Sequence, residues 1–153
     1  MIIAIGSDHA GFHLKEHVKE TLRAAGHEVA DLGTASPDSV DYPEFAEAVA
    51  RLVADGSAER GVLACGSGNG VAIVANKVHG IRAVNAHDVA ESEMARRHND
   101  INVVTLSGAR LTPDEADAIV NTFLVTGFEG GRHARRVAGI AAMDDAADPA
   151  PSA

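Results

Sequence analysis

Short apolar runs alternate with segments of helical periodicity along most of the chain. Ile2–Ile5 is uniformly apolar and reads as a buried strand, ending at Gly6-Ser7-Asp8-His9. Phe12, Leu14, Val18 and Leu22 then recur at helical spacing, and Gly26 closes that helix. His27–Leu32 reads as a second strand, followed by a loop from Gly33 to Pro43 and a helix over Glu44–Ala54 with Phe45, Val49 and Leu52–Val53 on its apolar side. The third strand, Gly61–Ala64, runs into Cys65-Gly66-Ser67-Gly68-Asn69-Gly70 and an Ala/Val-rich helix over Val71–Ala75. A fourth strand is expected over Gly80–Asn85, a helix over Val89–Arg97, and a fifth strand over Asn102–Leu106. Thr112 followed by Pro113 is a helix start, with threonine as cap and proline at the first helical position. That helix runs to Gly127, and a last, basic helix begins near Gly131-Arg132 and fades around Met143.

Strands alternating with helices imply an α/β fold: five strands in a mostly parallel, doubly wound sheet with helices on both faces. The pattern is continuous over residues 1–143, so a single domain is expected there. Residues 144–153, rich in Asp, Ala and Pro, read as a disordered acidic tail. With tryptophan absent and aromatic residues at 3%, the core must be built from Ala, Val, Ile and Leu. A formal net charge of −9 argues against nucleic acid or an acidic membrane surface as a partner. No run is long enough to span a bilayer, the start lacks a signal-peptide pattern, and one cysteine allows no internal disulfide; a cytoplasmic location is the default expectation.

In sheets of this kind ligands bind beyond the carboxyl ends of the strands. Asp8-His9, Cys65 to Gly70 and His87-Asp88 all fall there. The glycines after the third strand allow a tight turn and leave backbone N–H groups uncovered, a ready anion site at a helix start. Cys65 stands at its lip, where a helix N-terminus favours the thiolate and suits the thiol to act as a base. The alternative for Cys65 is a small buried apolar residue. As a dinucleotide fingerprint the stretch fails, because the third glycine position is Val71, although Asp88 lies where a ribose-binding acid would stand. His87-Asp88 lacks further ligands at helical spacing, so no metal site is expected. Asp8 can be a helix cap, and His98-Asn99-Asp100 a helix end capped by Asn99. Arg132 and Arg136, four residues apart, share a helix face and suit either a phosphate or plain solvation.

Taken together, Gly6-Ser7-Asp8-His9-Ala10-Gly11-Phe12, Asp41-Tyr42-Pro43, Cys65-Gly66-Ser67-Gly68-Asn69-Gly70, Ala75-Asn76-Lys77, Gly80-Ile81-Arg82-Ala83, Arg97-His98-Asn99-Asp100 and Glu129-Gly130-Gly131-Arg132-His133 resemble the type B ribose-5-phosphate isomerases and their sugar-phosphate isomerase relatives. The resemblance implies a Rossmann-like fold without a nucleotide and a homodimer with shared active sites; whether dimers pair into tetramers stays open. It implies no metal and no organic cofactor. The implied reaction interconverts D-ribose 5-phosphate and D-ribulose 5-phosphate, a step of the pentose phosphate pathway, through a cis-enediolate. Relatives acting on allose 6-phosphate, galactose 6-phosphate or erythrulose 4-phosphate are the alternative, with a dinucleotide-binding module or a non-catalytic sugar-phosphate sensor behind them. By the same resemblance Cys65 is the base, Ser67 passes a proton between O1 and O2, and His98 opens the furanose ring. Gly66, Gly68, Asn69 and Gly70 hold the enediolate oxygens, Asp8, Tyr42 and Asn99 orient hydroxyls, and His9, Arg132 and Arg136 grip the phosphate. Where some members carry a glutamate base this chain has Val71. Between Asn102 and Arg110 it is one residue longer than the family pattern, so no role is carried over to Arg110.

Overall fold

The computed structural model describes residues 1–147. In chain order the elements are β1 (Ile2–Ser7), α1 (Phe12–Ala24), β2 (Glu28–Asp31), α2 (Pro43–Ala54), β3 (Arg60–Cys65) and α3 (Asn69–Ala75). After these come β4 (Ala83–Asn85), α4 (Val89–Asn99), β5 (Val103–Ser107), α5 (Pro113–Val125) and α6 (Arg132–Ala147). The five strands form one sheet in the order β2-β1-β3-β5-β4, and every pairing is parallel.

Even in strands buried on both sides, successive side chains go to opposite faces. Ile3, Ile5, Val62, Ala64, Val104 and Leu106 pack on one face with Leu14, Val18 and Leu22 of α1 and Ile119 and Phe123 of α5. Ala4, Leu63, Cys65, Ala83 and Val103 turn to the other face, against Val49 and Val53 of α2 and Val71 and Ala75 of α3. Small residues let the layers close tightly. A β-carbon on Gly11, at the start of α1, would lie 2.5 Å from the Ala64 carbonyl, so only glycine lets that helix begin flush against β3.

Several boundaries depart from the sequence reading. β4 is three residues long rather than six, because side-chain amides take the backbone donors at its start: Arg82 N–H donates to Asn102 Oδ1 at 2.8 Å and Ala83 N–H to Asn76 Oδ1 at 2.7 Å. α4 ends not on a cap at Asn99 but on Asp100, which takes a left-handed conformation at φ 46°; its carboxylate is held there by Arg96 Nη1 at 2.8 Å and Arg82 Nη2 at 3.3 Å. Asp8 caps the turn before α1 rather than the helix itself, accepting Gly11 N–H at 3.0 Å. α6 continues past Met143 to Ala147, pinned by the Gly80 N–H donated to Asp144 Oδ2 at 2.7 Å. The rest of the expected tail, 148–153, lies outside the described residues. The Thr112 cap forms as expected, reciprocated by Glu115. No helix among the described residues is long and apolar enough to cross a membrane.

Candidate active site

The strand order reverses between β1 and β3, so the crevice at their carboxyl ends is where such a sheet opens to a ligand. Asp8 and His9 follow β1, and Cys65 ends β3. Cys65 is 4% exposed, and its Sγ accepts the Gly68 N–H at 3.1 Å. Gly68 reaches that position at φ 81°, a conformation that favours glycine. The Ser67 hydroxyl, exposed, accepts the Asn69 N–H at 3.1 Å. Tyr42, just before α2, lays its ring over Gly70. His9 is fixed through Nδ1, which lies 3.2 Å from both the N and the O of Val40.

The cradle is tied down by residues that pattern reading did not single out. Thr105 Oγ1 donates to Gly68 O at 2.8 Å and Ser107 Oγ to Gly66 O at 2.7 Å. Gly108 N–H donates to Cys65 O at 2.8 Å and Ala109 N–H to Gly66 O at 3.1 Å. From β4, Asn85 Nδ2 donates to Ser67 O at 3.0 Å and Asn69 Oδ1 at 2.7 Å. The carbonyls are thereby drawn toward β4 and β5. Two polar residues at i and i+2 in an otherwise apolar strand were the available signal for Thr105 and Ser107. Asp88 is engaged in capping α4, accepting Glu91 N–H at 2.8 Å, while Glu91 accepts His87 N–H at 2.7 Å.

The remaining predicted residues stand elsewhere. α4 starts beyond the carboxyl end of β4 and returns to the amino end of β5, so His98 and Asn99 lie at the opposite end of the sheet from Cys65. The separation is about a strand length, roughly 20 Å for six residues at ~3.3 Å each. Arg132 and Arg136, both exposed, sit on α6 next to His98. Within one chain the predicted site is therefore two half-sites. Asp8, His9, Tyr42 and Cys65 to Gly70 form one, and His98, Asn99, Arg132 and Arg136 the other.

In the second half-site the His98 and His133 rings stack, 9° between planes and 4.2 Å between centroids. Glu129 faces both, 3.7 Å from His98 Nε2 and 3.9 Å from His133 Nε2. Burial, then the charges of His98 and Arg132, hold the His133 imidazole below its usual range, against the pull of Glu129 and with the help of Arg136. Its Nε2 is buried with no hydrogen-bond partner. Two imidazoles and a carboxylate within 4.8 Å are a possible donor set for a metal. The parallel rings aim their lone pairs side by side rather than at one point, and Arg97 already holds Glu129 at 3.1 Å, so the arrangement suits proton handling better than coordination.

A model of the Ribose/Galactose Isomerase family matches residues 3–140. The chain is 42% identical over 142 residues to ribose-5-phosphate isomerase B of Escherichia coli, covering 93% of this chain and 95% of that one. It is 38% identical to a D-erythrulose-4-phosphate isomerase of Pectobacterium atrosepticum, over 88% of this chain and 90% of that relative. The structure of Clostridium thermocellum ribose-5-phosphate isomerase B superposes with a TM-score of 0.94 at 44% identity, covering 96% of this chain and 99% of that one.

Proposed function

This chain belongs to the ribose/galactose isomerase family, and from that membership we propose that it interconverts D-ribose 5-phosphate and D-ribulose 5-phosphate, an aldose–ketose isomerisation in the pentose phosphate pathway. Higher identity to the ribose-5-phosphate isomerases than to the erythrulose-4-phosphate isomerase, 42% against 38%, favours the pentose. One observation carries the chemistry: a buried thiol, Cys65, set among backbone donors, with the Gly68 N–H aimed at its sulfur.

The reaction needs a ring opened and one hydrogen moved. His98 takes the proton from O1–H and delivers one to the ring oxygen as the C1–O bond breaks, giving the aldehyde. Cys65, as thiolate, removes the proton from C2; the electron pair moves into a C1–C2 double bond and negative charge develops on O1. N–H groups of the Gly66–Gly70 turn stabilise that charge without reorganising, those of Gly68 and Asn69 excepted, since they are taken by Cys65 Sγ and Ser67 Oγ. Ser67 moves a proton from O2 to O1, and Cys65 returns its proton to C1, leaving the ketone at C2. Asp8, Tyr42 and Asn99 orient hydroxyls, while His9, Arg132 and Arg136 hold the phosphate.

The half-sites lie at opposite ends of the sheet, so a whole site combines Cys65 of one copy with His98 of a second. The active unit on this reading is a homodimer carrying two shared sites. A free active-site thiol suits a reducing compartment, and we place the enzyme in the cytoplasm.

Incubation with ribose 5-phosphate in heavy water, followed by NMR, tests the assignment. Ribulose 5-phosphate forms, with deuterium entering at the C1–C2 unit, and Cys65→Ala loses turnover by at least about a hundredfold, the scale of a lost general base. Undiminished turnover by that variant overturns the role of the thiol, and no ketose from the unaltered protein overturns the reaction.

A further inference from the structure

The loop between α5 and α6 holds a carboxylate that the reaction as described does not use. Glu129 is held on both sides: its own N–H donates to Arg97 O at 2.9 Å, and its Oε2 receives Arg97 Nε at 3.2 Å. So fixed, its two oxygens face the Nε2 atoms of two stacked imidazoles, one of which, on His133, is buried and unpartnered. The loop tethers to α4 by main chain as well as side chain, which places the carboxylate independently of the exposed ends of Arg132 and Arg136.

We propose that Glu129 is the positioning residue for His98, holding the ring edge-on with Nε2 as its proton-carrying atom, while His133 serves as the plate against which that ring is stacked. The inference rests on the isomerase reading above. An imidazole that must take a proton from one oxygen and give one to another works only with its tautomer and ring plane set, and a fixed carboxylate beside one nitrogen sets both. At 3.7 and 3.9 Å the Glu129 oxygens stand at ion-pair distance from the two Nε2 atoms, close enough to orient the rings by charge. The charged and titratable groups placed against the stacked pair are Glu129 from the loop and His133, Arg132 and Arg136 from α6. Among these neighbours Glu129 is the carboxylate within 4 Å of the ring nitrogen. Burial, then the charges of His98 and Arg132, lower the His133 imidazole, which disfavours two positive charges side by side in the stack.

Ring opening and enolisation can be read separately. Ribulose 5-phosphate carries its phosphate on the 5-hydroxyl and has no furanose form, so exchange of its C1 hydrogens with heavy water needs Cys65 as base and no ring opening. Glu129→Gln lowers ribose 5-phosphate turnover by about tenfold, less than the ~10²–10⁴ of the acid–base group it positions, yet leaves C1 exchange of ribulose 5-phosphate at the parental rate. Glu129→Asp, which keeps the charge on a shorter arm, restores part of the loss. Unchanged turnover in Glu129→Gln overturns the proposal. So does an equal fall in turnover and exchange, which would mark a structural role. A parent protein that exchanges nothing sinks the isomerase reading itself and this inference with it.

Discussion

The ring of Tyr42 lies over Gly70 so closely that a β-carbon on the glycine would fall 2.5 Å from Tyr42 Cζ. Tyr42 is 37% exposed and can swing away, so Gly70→Ala displaces the ring instead of breaking the fold. Gly70 lies inside α3, where alanine favours the helix by at most about 1 kcal/mol. Gly70→Ala therefore holds or gains stability in a urea melt while KM for the sugar phosphate rises several-fold. Loss of stability together with an unchanged KM would show that Tyr42 does not contact substrate.

A shared site can be rebuilt from two broken chains. Cys65→Ala and His98→Ala are each nearly inactive on ribose 5-phosphate. Mixed, dissociated and reassociated, half of the dimers carry both chains, and each of those holds one site with neither substitution. Recovered activity approaches about a quarter of the parent for random pairing of a two-fold dimer. Activity that stays at the level of the single variants would place both groups in sites formed within one chain.

Arg132 and Arg136 project from the exposed face of α6. If they hold the phosphate equally in substrate and transition state, Arg132→Met and Arg136→Met raise KM with little effect on kcat. Steady-state kinetics at two salt concentrations reads this directly. Unchanged KM in both variants would leave the arginines as solvated surface.

Acid stability turns on a buried lysine. The Lys15 side chain is wholly buried and its Nζ is bonded to Asp31 at 2.8 Å and to Glu16 at 2.6 Å. Burial would push the Asp31 carboxyl up, but Lys15, Lys19 and the Gly33 N–H outweigh it and hold it below the usual range. The same two lysines lower Glu16. Both folded values lie below the unfolded ones, so this stability is complete above about pH 5 and is lost as pH falls through the folded values. Asp31→Asn costs roughly 2–4 kcal/mol at pH 7, near the ~3–5 of a broken buried pair because Glu16 keeps its contact. Its urea midpoint falls less steeply below pH 4 than the parent's; parallel slopes would exclude Asp31 as a source of the acid limb.

The layers of this fold were readable because each strand and helix repeats its own period. All five strands and six helices stand close to where the apolar pattern put them. The glycine stretch after Cys65 was equally plain, since turn residues, thiol and helix start are neighbours in the chain. Long-range polar contacts were not readable. β4 shortened because Asn76, seven residues away, and Asn102, twenty away, supply side-chain amides to Ala83 and to Arg82 just before it. Asn85, Thr105 and Ser107 fasten the cradle from other strands, and nothing local marks them apart from the polar pair on β5. Glu129 stayed hidden for the same reason, lying 31 residues after the His98 it faces. The spacing of His98 and Cys65 says nothing of direction, which is set by α4 running back along the sheet.

On the shared-site reading proposed above, that antiparallel return of α4 makes catalysis a collective property. A lone chain carries thiol and imidazole looking away from each other, and an isologous embrace supplies both pockets at once or neither. Specific activity should then fall with dilution as dimers separate, whatever the substrate concentration.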